Sequence, residues 1–213
     1  MLSSTDNVDG GRKITGKSIG INEEKKAETE RVLKTGGNNM ADNIAIVDGN
    51  ALLQITYEDM IKYHGRFNIG GVAIAYQAIK LGFSKLSPDE IPDREDTGFF
   101  SGMSGSGVLD GAEMVMRART RGTLVVDPAL GADAAAAGGC RGRFYFEVRL
   151  KDKKIGLVLK ESFVKAEFAD LAKGFNEGRL TPKERERLQE LKEELAAAVM
   201  ATPAEQVFDV VAT

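Results

Sequence analysis

Apolar residues recur at steps of three and four over several stretches, and each of these predicts a helix. Ile69, Val72, Ala73, Tyr76, Ile79 and Phe83 hold that spacing, while Ala75, Ala78 and Leu81 make the remaining faces apolar too. Such a helix is buried nearly all round. Gly70 and Gly71 in its first turn cost roughly 1 kcal/mol each against alanine, and they admit a close backbone neighbour. Upstream, Thr56 followed by Glu58 and Asp59 opens a helix carrying Met60, Ile61 and Tyr63, which His64-Gly65 closes. Asn68 reads as the N-cap of the buried helix.

A helix from Val108 to Thr120 follows the glycine-rich "SGSG". Another runs from Ser162 to Asn176 with Val164, Phe168, Leu171 and Phe175 on one face. Thr181-Pro182-Lys183-Glu184 is a capping box with proline at the first helical position. Beyond it Leu188, Leu191, Leu195 and Val199 form a stripe, with charged residues on the opposite faces. Thr202-Pro203-Ala204-Glu205 reads as a second cap of the same kind, opening "QVFDVVAT".

Strands are predicted at "GFFSGM", at "GTLVVD", and as a hairpin of "RFYFEVRL" and "KIGLVLK" across Lys151–Lys153. Helices and strands mix without regular alternation. The expected class is therefore α+β, with helices packed on a small mixed or antiparallel sheet and a helical C-terminal segment. Residues 1–43 are polar and weakly periodic, and are expected to form a flexible N-terminal arm. Residues 44–213 are the expected domain.

Composition narrows the function classes. The chain has 213 residues, 42% of them hydrophobic, and a net charge of −3. Acidic balance argues against a general nucleic-acid binder. No apolar run reaches the ~20 residues that span a bilayer, so no membrane partner is expected. One cysteine, Cys140, permits no disulfide within the chain, and a cytoplasmic location is expected.

Chemistry-bearing residues gather around two glycine turns. His64 is the only histidine. At a helix end it can meet the last carbonyls, or it can serve as a metal ligand or general base. Asp110 is its nearest carboxylate candidate if the two turns converge. Asn68, Ser104 and Ser106 stand at the two helix starts, where free amides can hold an anion. "RARTR" places Arg117, Arg119 and Arg121 at the end of the second of these helices, where cations suit the dipole.

"MIKYHGRFNIGGVAIAYQAIKLG" resembles the opening of the FmdE family of formylmethanofuran dehydrogenase components, which typically reads His-Gly-His-x-Cys-Pro-Gly before an apolar helix. His64, Gly65 and Gly70 match that pattern. Arg66 replaces the second histidine, Asn68 the cysteine and Ile69 the proline. "SGSGVLDGAE" keeps the family's aspartate as Asp110 but not its preceding cysteine, and "ATPAEQVFDV" resembles the family's closing motif. The resemblance extends over about residues 52–210. It implies an α+β domain, a homodimer and a cysteine/histidine metal site. The missing thiolates imply that this metal site is degenerate. In the family's namesake enzyme the molybdenum or tungsten chemistry lies on other chains.

The leading expectation is a non-catalytic, divergent FmdE-like accessory, ligand-binding or assembly protein linked to one-carbon or molybdenum/tungsten metabolism. Its expected partners are a second copy of itself, molybdenum/tungsten enzyme subunits and a small-molecule ligand. His64, Asn68, Ser104, Ser106 and Asp110 are the expected ligand-binding residues. No cofactor is assigned; zinc or another transition metal on His64 is the open alternative. Two other readings stand beside it: an enzyme using a His64/Asp110 site, and a homo-oligomeric structural protein with a vestigial pocket.

Overall fold

Two antiparallel strands, β1 (Ile44–Asp48) and β2 (Ala51–Ile55), form a hairpin turned by Asp48-Gly49-Asn50-Ala51. Gly49 takes a positive φ of 62° there, which a side chain would resist. The computed structural model describes residues 43–211. The predicted arm lies outside the described residues except for Asn43. The hairpin adds two strands to those the sequence predicts. Ile44, Ile46 and Ile55 turn inward, but β2 is too short and too evenly apolar to announce a period of two.

Helix α1 (Tyr57–His64) starts as expected. Thr56 and Asp59 form a complete capping box: the Asp59 amide donates to the Thr56 hydroxyl and the Thr56 amide donates to the Asp59 carboxylate. Gly65 ends the helix at φ 85° and sends the chain into α2 (Ile69–Leu86). This long helix is the axis of the fold. Thirteen of its eighteen residues are buried, which matches the all-round apolarity of its sequence.

Strand β3 (Thr97–Met103) leads into α3 (Ser106–Met116), then β4 (Leu124–Val126). The α3 helix ends four residues earlier than its sequence suggests. Arg117 adopts a left-handed conformation at φ 52°, and residues 118–122 fold back through turns that start β4. A two-residue strand, β5 (Gly138–Gly139), pairs with β6 (Gly142–Leu150), and β6 forms the predicted hairpin with β7 (Lys153–Leu159).

Helices α4 (Ala166–Asn176) and α5 (Pro182–Ala201) follow, then a single turn, α6 (Ala204–Val207), and β8 (Phe208–Val211). The second predicted cap is displaced. Pro203, not Thr202, precedes the short helix, the Thr202 hydroxyl instead donates to the Ala198 carbonyl, and the chain returns to the sheet as β8.

The main sheet runs β4-β3-β6-β7-β8, with β5 on β6. Within it only the β3–β4 pair is parallel. The protein is therefore α+β, as the sequence predicts, with a small mixed sheet. Phe99, Phe146, Leu157 and Phe208 project from the sheet into the core that includes α2. The Phe146 ring stacks on Phe99 at 6.0 Å between centroids and meets Phe208 edge-on at 6.3 Å. The α5 stripe of Leu188, Leu191, Leu195 and Val199 is buried, and Leu195 and Val199 belong to the same core as α2. No helix among the described residues is long and apolar enough to cross a membrane.

Small residues set how closely α2 and α3 cross. A Cβ at Gly71 would lie 3.1 Å from the Val108 amide, and one at Gly111 would lie 2.6 Å from the Ala75 methyl. Gly107 packs against the Asn68 carbonyl and the Val72 amide. Gly71 and Ala75 on one helix thus face Gly107 and Gly111 on the other. The glycines of this turn are explained first by that packing, and the approach brings the N-terminal turns of both helices to one place.

Candidate functional site

The two glycine turns converge, and the pairing that sequence spacing leaves open is formed. His64 lies at the end of α1, and the α2–α3 crossing carries Asp110 to it. The His64 Nδ1–H donates to Asp110 Oδ2 at 2.7 Å. Arg119 reaches the other carboxylate oxygen at 3.4 Å. The histidine side chain is only 7% exposed. Its second nitrogen, Nε2, is buried with no hydrogen-bond partner among the described residues. The imidazole therefore pins α1 to α3 rather than meeting the carbonyls of its own helix.

Asn68 departs from the capping role expected of it. It makes no side-chain cap bond; its amide donates to Ser106 Oγ at 2.7 Å, tying the start of α2 to the start of α3. Ser104 is held differently. Its amide donates to the Arg141 carbonyl at 2.8 Å, and its hydroxyl contacts the same oxygen at 3.4 Å. Of the five predicted residues, only Asn68 lines the main cavity, while His64, Ser104, Ser106 and Asp110 stand outside its lining. Two arginines of "RARTR" serve the fold locally: Arg119 bonds Asp110, and the Arg121 guanidinium donates to the carbonyls of Arg94 and Glu95.

The donor set does not fit a zinc site. Zinc takes three or four protein ligands, yet among the described residues no three His, Cys, Asp or Glu side chains are grouped so as to hold a metal ion. His64 spends one nitrogen on Asp110, and Cys140 lies exposed on another loop.

The main cavity, of about 100 Å³, lies where the first turns of α2 and α3 meet α4, α5 and the Gly139–Arg141 loop. Ile74, Phe144, Phe168, Leu188 and Leu195 supply apolar walls; Asn68, Gly70, Gly105 and Gly107 bring the two helix starts. Two cations line it, Lys192 and Arg141. Arg141 is exposed and donates to Asn176 Oδ1 at 3.3 Å.

Lys192 is the residue that sequence reasoning misses. It is 8% exposed, and among the described residues it has neither a carboxylate partner nor a hydrogen bond. Its ammonium rests instead over the Phe67 ring, 3.8 Å from the centroid, with the Phe175 ring 5.5 Å away. Burial pushes its pKa down from 10.5 to about 8, and the positive charge of Arg141 adds to that. A signal is present in the sequence: Lys192 stands four residues after Leu188 and three before Leu195, inside the apolar stripe. The many charges of the outer faces of α5 hide it.

A scan against protein-family models finds no match for this chain, and a search of the curated proteins finds none either.

Proposed function

We propose that this protein is a non-catalytic ligand-binding module and that its ligand is a small organic anion with a compact apolar body. One observation carries the reading: two cations, Lys192 and Arg141, line an apolar cavity, and Lys192 has no carboxylate among the described residues to compensate it. Burying an unpaired ammonium is costly, and a ligand carboxylate would offset that cost. The first turns of α2 and α3 add favourable dipole ends on the same wall. Apolar walls with a few convergent polar groups are the usual build of a small-molecule site.

The test is calorimetric titration with butanoate against butanol. Butanoate should bind with a Kd in the micromolar to low millimolar range, roughly −8 to −4 kcal/mol, and butanol at least tenfold more weakly. Equal affinity for the two, or no binding of either, would remove the reading.

The resemblance to the FmdE family supports an accessory role in one-carbon or molybdenum/tungsten metabolism, with a homodimer as the assembly and components of the molybdenum/tungsten enzyme as partners. That part of the proposal rests on the motifs alone. The alternative, an enzyme working through His64 and Asp110, has their 2.7 Å contact in its favour. Against it, the nitrogen that would act on a substrate is sealed from solvent and lies off the cavity wall.

A further inference from the structure

Lys192 does not behave as a surface lysine that happens to lie along a helix. A lysine on an amphipathic helix ordinarily lays its stem on apolar surface and carries its ammonium out to water. Here the residue is more than nine-tenths buried, and its nitrogen rests against the Phe67 ring at the cavity wall, with the Phe175 ring further off. An aromatic face attracts a cation but falls short of an ion pair in compensating burial. Among the described residues no carboxylate stands beside the amine to hold it protonated. A largely buried amine on the apolar wall of a cavity, beside a second cation, has the environment that turns lysine into a nucleophile for carbonyl carbon.

The surroundings define what carbonyl would fit. Arg141 and the first turns of α2 and α3 can hold a carboxylate, since guanidinium and helix amides both favour that group. The cavity is about 100 Å³, room for a short chain. Its apolar walls accept a methyl or ethyl end. A carboxylate, a carbonyl and a short alkyl end in one molecule describe a short-chain 2-oxo acid.

We propose that Lys192 is a carbonyl-capturing amine, condensing reversibly with the keto group of a short-chain 2-oxo acid whose carboxylate lies against Arg141 and the first turns of α2 and α3. The inference rests on the anion-binding reading above and adds a covalent step to it. The neutral Nζ adds its lone pair to the carbonyl carbon, and a proton moves from nitrogen to oxygen to give a carbinolamine. Loss of the hydroxyl with the remaining nitrogen proton releases one water and leaves the imine. Hydrolysis reverses each step, so no oxidant, reductant or metal is consumed. With its pKa at about 8, a useful fraction of the amine is neutral at mildly alkaline pH.

The experiment incubates the full chain with 2-oxobutanoate and sodium cyanoborohydride near pH 8, then measures intact mass and maps the modified peptide. Calorimetry with butanoate, which lacks the keto group, runs in parallel. One adduct per chain at Lys192 is expected, absent from Lys192→Arg. Arg141→Gln should slow its formation about tenfold at a fixed low concentration, an effect of ~1.4 kcal/mol. The peptide map of the unaltered protein decides the matter even if a variant fails to fold. Butanoate binding with no adduct at Lys192 overturns carbonyl capture and leaves the anion-binding reading standing. Failure of both overturns both. Adducts spread evenly over the exposed lysines also overturn the proposal, because a pocket amine must react ahead of them.

Discussion

Lys192 and His64 show two ways a buried titratable side chain is accommodated. Lys192 is left without an opposite charge among the described residues, so the folded state disfavours its proton. The sign of the pH dependence follows. Between about 8, its folded pKa, and 10.5, the unfolded chain holds a proton that the folded protein has released. Stability from this residue therefore rises with pH across that window, and the penalty is in full force below it. Lys192→Met should be more stable than the parent by about 1–2 kcal/mol at pH 7, with the lost aromatic contact offsetting part of the gain. The advantage should shrink as pH rises through the window; urea midpoints at pH 7 and pH 10 that show a constant difference would contradict it. His64, by contrast, has Asp110. Asp110→Ala should cost about 1–3 kcal/mol, because the His64 ring is left buried and unsatisfied, and His64→Ala should cost less, since Asp110 is partly exposed and keeps Arg119. A double-mutant cycle with His64→Ala and Asp110→Ala should show coupling above roughly 0.5 kcal/mol. Additive losses would mean that the contact contributes nothing of its own.

Among the helices, the sharpest contrast lies between ends and crossings. The α5 capping box is local: the Glu184 amide donates to Thr181 Oγ1 at 3.3 Å and the Thr181 amide donates to Glu184 Oε2 at 2.8 Å. Thr181→Ala should therefore cost only about 1 kcal/mol, read from the urea midpoint. The α2–α3 crossing is different. A methyl at Gly111 would meet the Ala75 methyl at 2.6 Å and the Met60 side chain at 2.7 Å. Gly111→Ala raises intrinsic helix propensity, yet it should destabilise by about 1–3 kcal/mol through overpacking. It should also weaken the His64–Asp110 contact, since Asp110 is its chain neighbour. A neutral or stabilising outcome would show that the helices separate freely, and the account of the convergent turns would fail with it.

At the level of the fold, the C-terminal strand completes the sheet. Strand β8 pairs antiparallel with β7, Phe208 opposite Leu159. Phe208 is 1% exposed and packs edge-on against Phe146. Phe208→Ala should cost about 3–5 kcal/mol, detectable as a large fall in the thermal midpoint. A shift of only a few degrees would mean that the strand is a peripheral addition. The same segment carries part of the proposed family resemblance, so its role in the core gives those residues a physical reason independent of any site.

The amino-acid sequence by itself determined the elements whose causes are local. Thr56 and Thr181 sit beside the groups they cap, and Gly65 needs only its own φ. The β6–β7 hairpin joins two apolar arms across a short polar turn. These signals act over a few residues, so they can be read in order along the chain. The tertiary structure alone decided what depends on distant segments meeting. His64 and Asp110 are 46 residues apart, and Asn68 and Ser106 are 38 apart; only the glycine-lined approach of α2 and α3 joins them. That approach gave Asn68 a hydroxyl to bond in place of a cap, and it drew the hydroxyls of the second turn away from the cavity wall. Lys192 lay in an apolar stripe whose meaning depended on which segment covered it. Phe67 and Phe175 come from loop and helix outside α5, and their rings make an aromatic seat of what a helical pattern presents as one more charge.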